Sequence, residues 1–176
     1  MEDVVYALYE QNQAGWLHGD VKSNNIVVKR NRDNSFSGKV VDFGLSKRLT
    51  DGPFLRHVSF KPANFIDNQE RYPHIAPEIL KGTTGDTTEG DVHSFGYILK
   101  NIALRFYMPK LLQMSQRCMQ EDPKKRPTLP EILITLTDLK ETEVREIMGK
   151  GHILFQDYTN WQQQEPCNLF FNLSVT

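Results

Sequence analysis

The sequence predicts a mainly helical domain that carries one small β-hairpin. Three observations lead to that prediction. A helical apolar rhythm runs through Val92, Phe95, Leu99, Ile102, Ala103 and Phe106, with the i, i+3, i+4, i+7 spacing of one buried helix face. Thr128 followed by Glu131 has the form of a capping box ahead of a second apolar stripe. Two short β-branched runs, Ile26 to Val28 and Val40 to Val41, flank the turn-rich stretch NRDNSFSG.

Taken in order, Val4, Val5, Ala7 and Leu8 lie at helical spacing near the N-terminus, and Gly15 marks where that helix has ended. The two β-branched runs then form the hairpin. Residues 44–75 show no period and predict a long loop, a segment type that is usually functional or without fixed order. The clearest helix is expected to start at Asp91. Pro109 closes it or opens the next helix, whose stripe is Leu111, Leu112, Cys118 and Met119. After the capping box, Ile132, Leu133, Leu136 and Leu139 line one face, which continues through Val144, Ile147 and Met148 to a stop at Gly149. This divides the chain into a domain of residues 1–148 and a tail of 149–176 that has no period. There is no internal repeat.

Composition narrows the function. The chain has 176 residues, 39% hydrophobic and 24% charged, with a formal net charge of -1. That balance gives no electrostatic reason to expect nucleic acid or an anionic membrane as a main partner. Cys118 and Cys167 form no C-x-x-C pair, which argues against a disulfide framework or structural zinc and for a reducing, cytoplasmic setting. The opening MEDVVYALYE lacks the basic-then-apolar order of a signal peptide. No apolar run approaches the roughly 20 residues needed to span a bilayer. The sequon at Asn172 is expected to be a chance match.

The chemistry is concentrated in HGDVKSNNIVV, residues 18–28, where Asp20, Lys22 and Asn25 precede an apolar run. VDFG comes next with Asp42, then IAPE with Glu78, DVHSFG from Asp91, and DPKKRPT with Arg126. Each fragment is common alone. In this order, with strand, turn and strand between the first two, they resemble the large helical lobe of a eukaryotic protein kinase.

That resemblance implies a protein-kinase-like C-terminal lobe that takes part in moving the γ-phosphate of ATP to Ser/Thr hydroxyls of a protein substrate, with ATP and Mg2+ as cofactors. Phosphoryl transfer needs in-line positioning and countercharge more than covalent help. Asp20 resembles the carboxylate that orients the acceptor hydroxyl and takes its proton, and Lys22 the point charge on the moving phosphate. Asn25 and Asp42 resemble the magnesium ligands, both hard oxygen donors. Val27 resembles the apolar floor under adenine. Glu78 and Arg126 resemble a buried structural pair, and Asp91 a carboxylate supporting the backbone at His18 and Gly19, with His18 and Phe43 stacked beside it. Lysine at position 22 favours Ser/Thr over Tyr specificity. His57, His74, His93 and His152 lack metal-ligand spacing and are expected to be surface or core residues.

The resemblance also has gaps. The sequence shows no glycine-rich phosphate loop and no lysine strand ahead of His18, so the expectation is a second lobe only, one that binds nucleotide poorly by itself. Gly19 stands where the family commonly has an arginine that answers a phosphate, and His93 where it has tryptophan. Only 29 residues lie between Gly96 and Arg126, too few for the usual substrate-docking helix. Two alternatives stay open: a pseudokinase or protein-interaction module that transfers nothing, and a small-molecule kinase, whose catalytic loop also opens with H-G-D. Oligomeric state is not predicted.

Overall fold

The computed structural model describes residues 1–51 and 64–149, with side chains up to residue 140. Helix α1 spans Glu2–Gln13. Its first turn carries Glu2 and Asp3, acids that suit the positive end of the helix dipole. Gly15, at φ 83°, turns the chain in the left-handed region that glycine tolerates. Strand β1, Trp16–Leu17, comes next, and a 3-10 turn at Ser23–Asn25 leads into β2, Ile26–Arg30. Strand β3, Phe36–Val40, pairs antiparallel with β2 in the register Ile26↔Val40. The predicted hairpin is therefore present. Val41 lies just beyond β3, and its N–H donates to the Asn25 carbonyl at 2.9 Å.

The hairpin rests on α1. Gly38 donates its N–H to Asp3 Oδ2 at 2.9 Å, and a Cβ at Gly38 would stand 2.9 Å from a Val4 methyl. Ile26 joins the core, with Val28 and Val40 packed against it. By strand alternation Val27 faces the other way, and it is half-buried outside that cluster.

Of the expected loop over residues 44–75, the described parts, 44–51 and 64–75, are more structured than their sequence suggests, and 52–63 lie outside the described residues. Strand β4, Lys47–Arg48, pairs with β1 as Trp16↔Arg48 and Leu17↔Lys47. Helix α2 occupies Phe65–Arg71, and α3 Pro77–Leu80. Two-residue strands are too short to carry an alternation. None of the residues of α2 is fully buried, so the helix shows no apolar stripe.

Helix α4, Thr88–Arg105, is the spine of the fold. It begins three residues before the expected Asp91, because Thr87 caps it by accepting from the Gly90 N–H at 3.0 Å. Val92, Phe95, Ile98, Leu99 and Ala103 are buried in the main core with Val4, Val5 and Leu8 of α1. Phe106 departs from the expected stripe and is 48% exposed. The helix ends at Arg105, so Phe106 leaves the helical period at the C-cap. Tyr107, at φ 55°, reverses the chain into α5, Pro109–Cys118. Close approach of α4 and α5 is set at Gly96, where a Cβ would meet Cys118 Cβ at 2.5 Å. Met114 and Ser115 join Leu111 and Cys118 inside, while Leu112 and Met119 are half-buried.

Helix α6 spans Leu129–Gly149. The capping box is reciprocal: Thr128 N donates to Glu131 Oε2 at 2.7 Å, and Glu131 N donates to Thr128 Oγ1 at 3.4 Å. Leu129, Ile132 and Leu136 are buried against the same core. The side chains of Val144, Ile147 and Met148, and the whole of residues 150–176, lie outside the described residues. No helix among the described residues is long and apolar enough to cross a membrane. The architecture is a helical body with two small antiparallel strand pairs, in line with the predicted fold class.

Candidate active site

The stretch from His18 to Asn25 is a loop hung on α4. Asp91, 8% exposed in the first turn of that helix, accepts from the His18 N–H at 2.9 Å and from the Gly19 N–H at 3.0 Å. One carboxylate thereby satisfies two backbone donors that would otherwise be buried without partners. The His18 ring lies on the other side. Its Nε2 donates to the Val41 carbonyl at 3.2 Å, and its Nδ1 accepts from the Asp20 N–H at 3.3 Å. Since a carbonyl only accepts and an amide N–H only donates, these contacts select one neutral tautomer. Burial favours the neutral ring as well, lowering the His18 pKa below its ordinary value despite nearby Asp20 and Asp42. Phe43 packs on it at 5.2 Å between ring centroids.

Asp20, 8% exposed, lies at the centre of this loop. Its Oδ2 accepts from Lys22 Nζ at 2.6 Å and from Asn25 Nδ2 at 3.0 Å. Asn25 Nδ2 also reaches the Asp20 carbonyl at 2.9 Å. Two of these contacts hold the carboxylate at Oδ2, and the third ties Asn25 to the backbone of the same residue. Asn25, itself buried, has its amide nitrogen committed to Asp20 and so offers Oδ1 as its remaining polar atom. Its carbonyl takes the Val41 N–H, which brings the chain leading to Asp42 alongside.

Asp42 is exposed and sits at φ 64°, in the left-handed region. For a residue with a Cβ this conformation costs roughly 1–2 kcal/mol, least for Asn and Asp. Its Oδ1 accepts from the Gly44 N–H at 3.3 Å, a local bond that helps the turn. Both Asp20 and Asp42 act electrostatically on the His18 ring, each favouring its charged form, but burial outweighs them. Val27 lies two residues beyond Asn25, on the hairpin face turned away from the core.

Among the described residues no three His, Cys, Asp or Glu side chains gather as a metal cage. The two residues expected as magnesium ligands differ from such a cage, Asn25 offering an amide oxygen and Asp42 a carboxylate. Magnesium suits such a set, since it usually keeps water and phosphate oxygens in its shell.

Behind the site, Arg126 and Glu78 form the expected buried pair, at 2.6 Å and 2.8 Å between matched atoms. His93, 5% exposed, is a core residue whose Nδ1 donates to the His74 carbonyl at 3.3 Å. Burial first, and then the Arg126 charge, pull its pKa down to about 4.

A family model described as a protein kinase domain matches residues 1–109. The chain belongs to the protein kinase family. A probable serine/threonine-protein kinase of Dictyostelium discoideum, roco6, is 34% identical over 125 residues, covering 69% of this chain and 5% of that protein. A probable LIM domain-containing serine/threonine-protein kinase of the same organism is 26% identical over 166 residues, 80% of this chain and 16% of its own length. The mouse dual specificity testis-specific protein kinase 2 is 27% identical over 164 residues, with coverages of 78% and 27%. This kinase-family chain thus spans a small part of each of these relatives.

Within that family frame, Gly19 is more than a missing arginine. It sits at φ 75°, and a Cβ there would stand 2.7 Å from the Leu45 carbonyl oxygen. The segment after Asp42 lies too close to the loop for any side chain at position 19. The sequence marks the glycine but does not reveal what fills the space. Nor does it mark Lys47 and Asp86, a part-buried ion pair at 2.8 Å beside this contact.

Proposed function

We propose that this chain is the catalytic-loop-bearing lobe of a serine/threonine protein kinase, which with ATP and Mg2+ phosphorylates hydroxyls of a protein substrate. The observation that carries the reading is the convergence on Asp20: Lys22 and Asn25 pin its carboxylate, and the Asn25 backbone carbonyl holds Val41, the residue just ahead of Asp42.

Each residue has a distinct part. Asp20 accepts the proton of the attacking hydroxyl and holds that oxygen in line. Lys22, with its side chain 37% exposed beside Asp20, supplies mobile countercharge to the transferring phosphate. Asn25 Oδ1 and the Asp42 carboxylate would hold magnesium, and Val27 would carry the adenine ring. Bound magnesium supplies charge neutralisation on the phosphate oxygens. His18 stays neutral and structural, because both ring nitrogens are used by the backbone.

The 176 residues alone are expected to bind nucleotide weakly, since Asp42 and the Lys22 ammonium face water, where charge interactions are strongly damped. We place the protein in the cytoplasm because Cys118 is a free thiol and the two cysteines form no C-x-x-C pair, as suits a reducing setting. The test is Asp20→Asn in the full-length protein. Peptide phosphorylation should fall about 10²–10⁴-fold, the usual size of general-base help, with the circular dichroism spectrum unchanged. Activity within a few-fold of wild type would remove Asp20 from the mechanism. Transfer to a sugar or an aminoglycoside in preference to peptides would replace the protein-kinase reading with a small-molecule one.

A further inference from the structure

The segment after Asp42 is fastened to its surroundings at five successive residues. The Leu45 carbonyl lies against Gly19 at a distance that forbids a Cβ. Ser46 Oγ donates to the His18 carbonyl at 3.3 Å and accepts from Gln11 Nε2 at the same distance. Lys47 Nζ reaches Asp86 Oδ2 at 2.8 Å. The Arg48 guanidinium lies 5.2 Å from the Trp16 ring centroid. Leu49 donates its N–H to the Gly15 carbonyl at 2.8 Å. All but one of these contacts reach the stretch from the end of α1 through β1 to the catalytic loop. The exception is Lys47 to Asp86, which ties the segment to the turn ahead of α4, the helix that also carries Asp91.

The burial of this pair is uneven. The Asp86 side chain is 4% exposed and that of Lys47 is 21% exposed. Removing one partner of a pair so enclosed is costly, so the contact favours the docked segment. The virtual Cβ of Gly19 lies 3.8 Å from Asp86 Oδ2, which puts the carboxylate directly behind the catalytic loop. The same small space thus receives the loop backbone, the segment backbone and the ion pair.

We propose that Lys47 and Asp86 are positioning residues for Asp42: their ion pair latches the segment onto the catalytic loop and so presets the metal-binding carboxylate. The proposal rests on the kinase reading above. Asp42 is exposed and in a strained conformation, with one local hydrogen bond of its own, so its placement depends on how the residues after it are anchored. A latch made of two side chains of the same chain needs no added phosphate to close.

The consequence is quantitative. A binding site populated only in a fraction of molecules has its apparent affinity reduced by that fraction. Opening the latch to about one molecule in ten docked would raise the magnesium concentration for half-maximal activity about tenfold. Turnover at saturating magnesium would change less than about threefold, because bound metal draws the segment back.

The test uses the full-length protein as wild type, Asp86→Asn, Lys47→Gln and the exchanged pair Lys47→Asp/Asp86→Lys. Two readouts are taken: the magnesium dependence of peptide phosphorylation, and hydrogen exchange at the Leu49 amide, which donates to Gly15 across the docked contact. Both single variants should raise the magnesium requirement about tenfold and lose protection at that amide, and the exchanged pair should recover most of each. Single variants within twofold of wild type in both readouts would overturn the latch while leaving the kinase reading intact. An inactive wild type with loss of protection in the variants would defeat the kinase reading, and with it the role given to Asp42. A magnesium requirement that rises equally in the exchanged pair would show that the residues act singly and sink the pairing.

Discussion

Replacing Arg126 by methionine should be among the most damaging single changes in this lobe, and its size comes from counting donors. The guanidinium has five N–H groups, and the structure provides five acceptors. Nε donates to the Gln120 carbonyl at 2.8 Å; Nη1 to Glu78 Oε1 at 2.6 Å and the Glu89 carbonyl at 2.9 Å; Nη2 to Glu78 Oε2 at 2.8 Å and the Glu121 carbonyl at 3.4 Å. The Arg126 side chain is fully enclosed, at 0% exposure. Methionine fills much of the volume but strands the Glu78 carboxylate, and breaking a buried pair this way costs about 3–5 kcal/mol. For a chain of this size that corresponds to a fall of about 6–20 °C in melting temperature. The assay is urea denaturation at constant pH, comparing wild type, Arg126→Met, Glu78→Leu and the double variant. The double variant should be more stable than the sum of the two losses predicts, because no unpaired charge remains. Arg126→Met within about 1 kcal/mol of wild type at unchanged m-value would refute the reasoning, as would strict additivity.

Three further outcomes are expected. His93 is held neutral in the fold, with its pKa at about 4; the unfolded chain, near 6.5, binds the proton first. Stability is therefore complete above about pH 6.5 and is lost as pH falls toward 4, by about 3 kcal/mol for this residue, and His93→Phe should flatten that part of the pH profile in thermal melts. Gly96→Ala should lower stability by about 1–3 kcal/mol through overpacking against Cys118, even though alanine is the better helix former by roughly 1 kcal/mol; a raised melting temperature would contradict the close helix contact. Asp91→Asn keeps the shape but can offer only one acceptor oxygen to the His18 and Gly19 amides. It should cost about 2 kcal/mol, in the range of hydrogen bonds to charged groups, and reduce phosphorylation by at least about tenfold, read by denaturation and by kinetics on the same preparation.

What could be read from the sequence was mainly what is local. The capping box at Thr128 and Glu131, the α4 stripe and the hairpin depend on neighbours a few residues apart, and their patterns survive in one dimension. Asp20, Lys22 and Asn25 also lie within one loop, so their mutual contacts were foreseeable from spacing. Phe106 was misplaced because periodicity says where a stripe runs but not where its helix stops. Helix α2 was missed because it is short and keeps only Phe65 partly against the small cluster of Ile75, Ala76, Ile79 and Leu80. The β1–β4 pairing and the Lys47–Asp86 contact were invisible for a different reason: they join residues about 30 or more positions apart whose types carry no mark of partnership.

The left-handed backbone at Asp42 sets two demands against each other. Glycine at that position would relax the turn and make the fold slightly harder to melt, yet it would delete a proposed magnesium ligand. A mutant library sorted only for heat resistance should therefore enrich glycine at residue 42, and the winners would be sturdier proteins with a ruined metal site.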